Sequence, residues 1–415
     1  METLNTAVEA ACARIEATDR TVRAFLPETD RPARLRREAQ TLFERDPAPS
    51  ASRPLRGILV GIKDIIAVDG FETRAGSALP PELFAGPEAS LVRSLRAAGA
   101  LILGKTVTTE FAYFEPGPTT NPRHSGHTPG GSSSGSAAAV GAGLCPLAVG
   151  TQTVGSVIRP AAYCGVVGFK PTFGLLPMDG VVPFSPSVDT YGFFTPDIGA
   201  MQQAAGALLP AEHLHDRPWR NPIRLGIPDG PYLDALDADA RADFEQGLTF
   251  LAARGVRVVR VGAFADLEGV TTRHLDLNAA EAAQVHAAWF DRYADRYRPR
   301  TAELIRRGRT IPPARVDEGR RSRIHLAEDL ESQMDAHAFD AWASPAATGP
   351  APAGLERTGD PRMNLPWTHA GMPAATLPYG SASNGLPLGL QLVSPRGTDR
   401  SLLALAAAVA ELCTA

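Results

Sequence analysis

The chain has 415 residues, 44% hydrophobic and 21% charged, which is ordinary globular composition with material for one large or two ordinary domains. A formal net charge of -4 gives no electrostatic ground for binding nucleic acid or an anionic membrane surface. The longest apolar stretches, 136–150 and 402–412, are too short and too rich in Gly or Ala to span a bilayer, and METLNTAVEAACARIEATDR has no apolar core behind basic residues, so a cytoplasmic location is expected.

Residues 2–19 and 32–46 read as helices, followed by a polar loop at 46–54. LRGILVGIKDIIAV (55–68) is a short β-rich run, and in 88–106 a helix ended by Gly99 gives way to a strand. Residues 134–144 suit a buried Ala-rich helix, and 145–150 a short core strand running into a turn. Phe244, Leu248 and Leu251 share one helix face, Gly255 fits the cap that ends it, and 256–262 makes the next strand. Residues 276–338 are charged and mostly helical, with a break at Pro312-Pro313. The runs 339–345 and 386–394 look like strands, closed by a helix at 398–412. This alternation predicts an α/β fold without internal repeats. The Gly-rich part and the end of the chain (57–200 and 339–415) are expected to build the core of a single domain spanning 1–415, with 210–335 as a helical covering region.

Chemistry concentrates in PGGSSSGSAAAVGAG, residues 129–143. A flexible linker is disfavoured because an Ala/Val/Leu run follows with no polar tail. A phosphate cradle needs a lysine after the glycines, and none follows. A literal G-x4-G-K-T does occur at Gly99–Thr106, but its four intervening residues read as the strand itself, the wrong context for a phosphate-binding loop. Gly131-Ser132-Ser133-Ser134-Gly135 matches G-x-S-x-G, yet the preceding TTNPRHSGHTPG cannot be the strand that delivers a nucleophile elbow, and nothing marks His369 as its base. The nine histidines show no metal-ligand spacing, so no metal is expected. Cys12, Cys145, Cys164 and Cys413 form no CxxC pair and read as plain buried thiols.

The remaining reading joins this stretch to others. Ser156 stands in a second small-residue loop, GTQTVGSVIRPAAYCGVVGFKPT (150–172), and Lys63 in GILVGIKDII. GIKD, GGSSSGSAAAV, GTQTVGSVIRPAAYCGVVGFKPTFG and GMPAATLPYG…GLPLGLQLV, in that order and spacing, resemble the amidase signature family over essentially the whole chain. The resemblance implies a large mixed twisted β-sheet covered by helices on both faces. It also implies a Ser/cis-Ser/Lys triad, here Ser156 as nucleophile, Ser132 as the bridging serine after a cis Gly131-Ser132 peptide, and Lys63 as base. A serine hydroxyl needs a positioned proton acceptor, and burial among apolar neighbours would discourage the lysine's charge. Thr153, Val154 and Gly155 would supply N–H donors to an oxyanion. Gly131, Thr151 and Arg159 would line the substrate.

Three positions depart from the commoner family pattern: Gln152 for Asp, Val154 for Gly, and Arg159 three residues after the nucleophile instead of two. The last looks like the malonamidase-type branch, where a guanidinium fork grips a substrate carboxylate, although a structural arginine tying loops together is the alternative. Asp189 is read as structural. The resemblance thus implies an amidase that needs no cofactor and acts on a small-molecule amide, with carboxylate-bearing amides leading and aryl amides, carbamates or nylon-type oligomers behind. No nucleic-acid or membrane partner is expected, and such relatives often form homodimers. A glutamine-dependent amidotransferase subunit is the alternative of another class.

Overall fold

The computed structural model describes residues 2–45 and 52–414, so most of the polar loop expected at 46–54 lies outside the described residues. The chain opens with helices α1 (Glu2–Val22) and α2 (Arg31–Arg45), then strand β1 (Leu59–Lys63), α3 (Ser90–Ala97) and β2 (Leu101–Thr106). Next come α4 (Ser134–Gly141), β3 (Leu147–Gln152), α5 (Ile158–Cys164), β4 (Val167–Lys170), β5 (Thr190–Thr195) and α6 (Ile198–Leu208). The middle of the chain supplies β6 (Arg224–Asp229), α7 (Ala238–Ala253), β7 (Arg257–Gly262), α8 (Leu267–Val285), α9 (Ala287–Tyr293), α10 (Pro299–Gly308) and α11 (Pro313–Ala336). The chain closes with β8 (Ala341–Pro345), α12 (Leu365–His369), β9 (Ala374–Ser381), β10 (Pro387–Val393) and α13 (Asp399–Thr414).

Among the described residues ten strands form one mixed sheet in the order β2-β1-β3-β5-β4-β9-β10-β8-β6-β7. Strand side chains alternate between its faces. Val60, Ile62, Ile102, Leu147 and Val149 point into the larger apolar cluster, while Leu59, Leu101, Leu103 and Ala148 point into a second one built with α1, α2, α4 and α5. Both faces are therefore covered by helices, as the α/β reading requires. Residues 210–335 do more than cover the core, because β6 and β7 extend the sheet, pairing in parallel with each other, while β6 also pairs in parallel with β8.

The expected elements shift where pairing decides the outcome. The third strand runs to Gln152 instead of turning at Gly150, because Gly150, Thr151 and Gln152 pair with Gly192, Tyr191 and Thr190 of β5. Gly255, with φ of +92°, follows α7 in the left-handed conformation expected of a helix end. Pro312 and Pro313 separate α10 from α11, the second proline occupying the first helical position. Among the described residues no helix is long and apolar enough to cross a membrane.

Candidate active site

Strand β1 lies between β2 and β3 and runs parallel to both, so the carboxyl ends of all three open on one side of the sheet. Lys63 is the last residue of β1 and is 0% exposed. Its Nζ lies 2.7 Å from Ser132 Oγ and 2.8 Å from Thr151 Oγ1. Burial pulls its pKa from 10.5 down to about 7, against a weaker opposing pull from Asp189. A lysine in this position holds its proton loosely at neutral pH.

The Gly/Ser stretch forms the turn into α4, and three of its serines have separate tasks. Ser132 faces Lys63 across the cis Gly131-Ser132 peptide. Ser133 Oγ donates to Thr151 O at 3.0 Å and accepts from Thr151 N at 3.2 Å, and Ser136 Oγ donates to Val149 O at 2.9 Å, so these two side chains pin the turn to β3. The approach is close: a Cβ on Gly150 would lie 2.5 Å from Ser133 Oγ, and one on Gly131 would lie 2.8 Å from a methyl of Thr358. On either side of the cis bond the carbonyls are held, Gly131 O by Arg159 Nη2 at 2.6 Å and Ser132 O by Thr109 N at 3.3 Å.

Ser156, 7% exposed, follows the end of β3 just before α5. The intervening loop is fixed from behind. Thr153 O accepts from His274 on α8 at 3.1 Å, Val154 O accepts from Thr368 Oγ1 on α12 at 2.7 Å, and Thr153 Oγ1 donates to Asp189 Oδ1 at 2.5 Å. In a trans peptide the N–H points opposite to the C=O. The N–H groups of Val154 and Gly155 therefore face away from α8 and α12, and among the described residues they donate to no protein group. Val154 does not have positive φ, so this loop adopts backbone that a β-branched residue accepts.

Gln152 has a double role that an aspartate would lack. Its Oε1 accepts from Val157 N at 2.8 Å and Ile158 N at 3.0 Å at the start of α5, while its Nε2 donates to Thr368 Oγ1 at 2.8 Å. Asp189 Oδ2 accepts from Phe184 N at 2.8 Å and Ser185 N at 2.9 Å, so this carboxylate ties the 184–189 loop to Thr153.

Arg159, on the first turn of α5, is 1% exposed. Besides Gly131 O, its Nη2 donates to Thr358 Oγ1 at 3.3 Å, while among the described residues Nε and Nη1 have no hydrogen-bond partner. Burial lowers its pKa. Thr151, expected among the substrate contacts, has its hydroxyl 2.8 Å from Lys63 Nζ. Cys145 and Cys164 are buried, with burial pushing the Cys145 thiol up to about 12, but Cys12 and Cys413 are only half-buried, which corrects their reading as core thiols. Lys105 of the literal G-x4-G-K-T motif lies within strand β2, paired with Asp64 at 2.9 Å.

Three of the residues that hold this site had no signal in the sequence. Thr358, His274 and Thr368 sit in loops and helices far along the chain and belong to no short motif. Only the fold brings them to the two serine-bearing turns.

The family comparison places this α/β sheet in a class of enzymes that act on C–N bonds. The family model described as Amidase matches residues 6–403, and the chain belongs to that family. Among curated relatives, the A-subunit of glutamyl-tRNA(Gln) amidotransferase from Treponema pallidum (strain Nichols) is 34% identical, over 86% of this chain and 82% of that protein. A crystal structure of an amidase superposes with a TM-score of 0.84 at 30% identity, covering 97% of this chain and 94% of the other. The native peptide amidase from Stenotrophomonas maltophilia does so with a TM-score of 0.82 at 27% identity, covering 99% and 94%.

Proposed function

We propose that the protein is a free-standing amidohydrolase that cleaves a small amide carrying a carboxylate. The observation that carries the chemistry is the buried Lys63 Nζ, 2.7 Å from Ser132 Oγ with its pKa drawn to about 7. Ser156 Oγ attacks the amide carbon as its proton passes to Ser132 Oγ and the Ser132 proton passes to Lys63 Nζ. The contact between the two serines closes as substrate settles, since hydrogen bonds of this kind tighten in the reacting complex. The oxyanion is received by the N–H groups of Val154 and Gly155, beside Thr153. Collapse breaks the C–N bond, the proton returns along the same path to the departing nitrogen, and an acyl ester remains on Ser156. Water, deprotonated by the same relay, then releases the carboxylic acid and restores the serine.

The substrate class rests on Arg159. A buried guanidinium with, among the described residues, no anion within ion-pair distance and two unpartnered nitrogens is costly on its own. A substrate carboxylate accepts from one of those free N–H groups and supplies the missing negative charge. Hydrolysis of an amide panel tests both parts. Ser156→Ala should retain its circular dichroism and lose all turnover, and retained turnover refutes the mechanism. Arg159→Ala should lose about 10- to 100-fold in kcat/KM for carboxylate-bearing amides relative to neutral ones, the scale of a hydrogen bond to a charged group. An unchanged ratio would shift the substrate to aryl amides, carbamates or nylon-type oligomers.

The second reading is favoured by the 34% identity to the A-subunit of an amidotransferase. In that case glutaminase activity would appear only together with a co-purifying second protein.

A further inference from the structure

We infer that His274 and His369 form a positioning pair that aims the oxyanion loop; this rests on the amidohydrolase reading above. The two imidazoles are buried between α8, α11 and α12, with His274 Nδ1 3.2 Å from His369 Nδ1. His274 Nε2 lies 3.1 Å from Thr153 O, and His369 Nε2 lies 3.1 Å from Ser322 Oγ. All four ring nitrogens are therefore engaged, and the chemistry of the two ends fixes the direction of every bond.

A carbonyl oxygen only accepts, so the hydrogen of His274 sits on Nε2. In a neutral ring that leaves Nδ1 bare, and it accepts from His369 Nδ1–H. His369 Nε2 is then bare in turn and accepts the Ser322 hydroxyl hydrogen, while Ser322 Oγ accepts from Arg273 Nε at 2.9 Å. A proton added to His274 would set two N–H groups against each other at the central contact, and one added to His369 would turn its Nε2 into a second donor toward Ser322 Oγ, which already accepts from Arg273. Burial, together with nearby Arg323, depresses both rings, His274 to about 3 and His369 to about 2, in keeping with a pair that stays neutral.

The chain therefore runs one way, from Arg273 at the rim of an open groove between α8 and α11 to the carbonyl of Thr153. The peptide it grips carries the Val154 N–H on its opposite side. Thr368 grips the next peptide in the same manner, through Val154 O. Neither histidine touches the reacting atoms. Their effect is to keep a donor from tilting as charge develops on the substrate oxygen, where aim counts more than in the ground state.

The expected signature is a loss in kcat at constant KM. His274→Phe, which keeps ring volume but supplies no hydrogen bond, should lower kcat about 10- to 100-fold with KM within about twofold, below the full loss of an oxyanion donor. His274→Gln, whose amide nitrogen can reach Thr153 O, should recover most of that. An unchanged kcat in folded His274→Phe, or a fall in His274→Gln as deep as in His274→Phe, overturns the inference. Should His274→Phe fail to fold, long-range ¹H–¹⁵N spectra of histidine-labelled wild-type protein decide: protonated Nε2 on His274 and protonated Nδ1 on His369 support it, and any other tautomer pair overturns it. Because Ser156→Ala is assayed alongside, a catalytically active Ser156→Ala sinks the underlying mechanism, whereas an inert Ser156→Ala with an indifferent His274→Phe sinks only the positioning pair.

Discussion

Two buried lysines stand one strand apart and behave differently. Lys105 on β2 sits opposite Ile62 in the parallel register, and Lys63 ends the neighbouring strand. Lys105 is 3% exposed and Lys63 0%. Burial is the largest influence on both and lowers both pKa values. Lys105, however, lies 2.9 Å from Asp64 Oδ1 and 3.1 Å from Thr73 Oγ1, and the carboxylate works to keep it charged. Around Lys63 the close partners are hydroxyls, which leave the charge uncompensated and let its pKa fall to about 7. One environment gives its lysine an anion, the other leaves the lysine holding its proton loosely, and the difference lies in a single carboxylate.

The comparison breaks most visibly at Lys63. Lys63→Met should reduce kcat about 10²- to 10⁴-fold, the range of general acid–base catalysis. No ion pair is lost with it, so the unfolding midpoint should stay level or rise. The sign follows from linkage. The unfolded chain holds this proton up to the ordinary lysine value of 10.5 and the folded one only up to about 7. The burial penalty is therefore felt in full below pH 7, where both states hold the proton; from pH 7 to 10.5 the unfolded chain alone binds it, and stability rises with pH until 10.5 is passed. Any gain in Lys63→Met should therefore be larger at pH 6 than at pH 9.

Asp64→Asn should do the reverse. It strands Lys105 without its anion and should cost about 3–5 kcal/mol in urea unfolding, as removal of one partner of a buried pair does. An undiminished unfolding free energy would show that the two lysines are held alike.

The smallest effect sharpens the contrast. A protonated Lys63 cannot take the Ser132 proton, so kcat/KM should rise as pH is raised through about 7. The Thr151 hydroxyl accepts from the ammonium and favours the charged form. Thr151→Val should therefore move the acid limb of the profile to lower pH, by less than about one pH unit for one hydrogen bond. A limb that stays put would mean that Thr151 leaves the proton affinity of Lys63 unchanged.

Much of the frame was legible from local pattern. The runs around β1, β2, β7 and β10 read as strands because apolar residues and turn signals bracket them at the right length. Strands β4, β5, β6 and β9 did not. Val167–Lys170 is four residues long and follows α5 through Gly165 in left-handed conformation, so its apolar run had no period that separates helix from strand. The β3 boundary slipped by two residues because pairing with β5 extends it.

The candidate site divides along the same line. Lys63, Ser132 and Ser156 stand in small-residue segments whose order and spacing are visible in the sequence, because tight turns at strand ends demand glycine and serine locally. The groups that aim the loop are visible only in three dimensions. His274 lies 121 positions from the carbonyl it holds, and Thr368 lies 214 positions from its own. Whether a buried lysine is charged, or an arginine keeps unpartnered nitrogens, likewise depends on neighbours delivered by other strands and loops. Local sequence determined where the reactive groups are carried, because backbone conformation is a short-range matter. Tertiary structure alone decided their protonation and aim, because electrostatics and hydrogen bonding depend on which distant residues packing brings within a few ångströms.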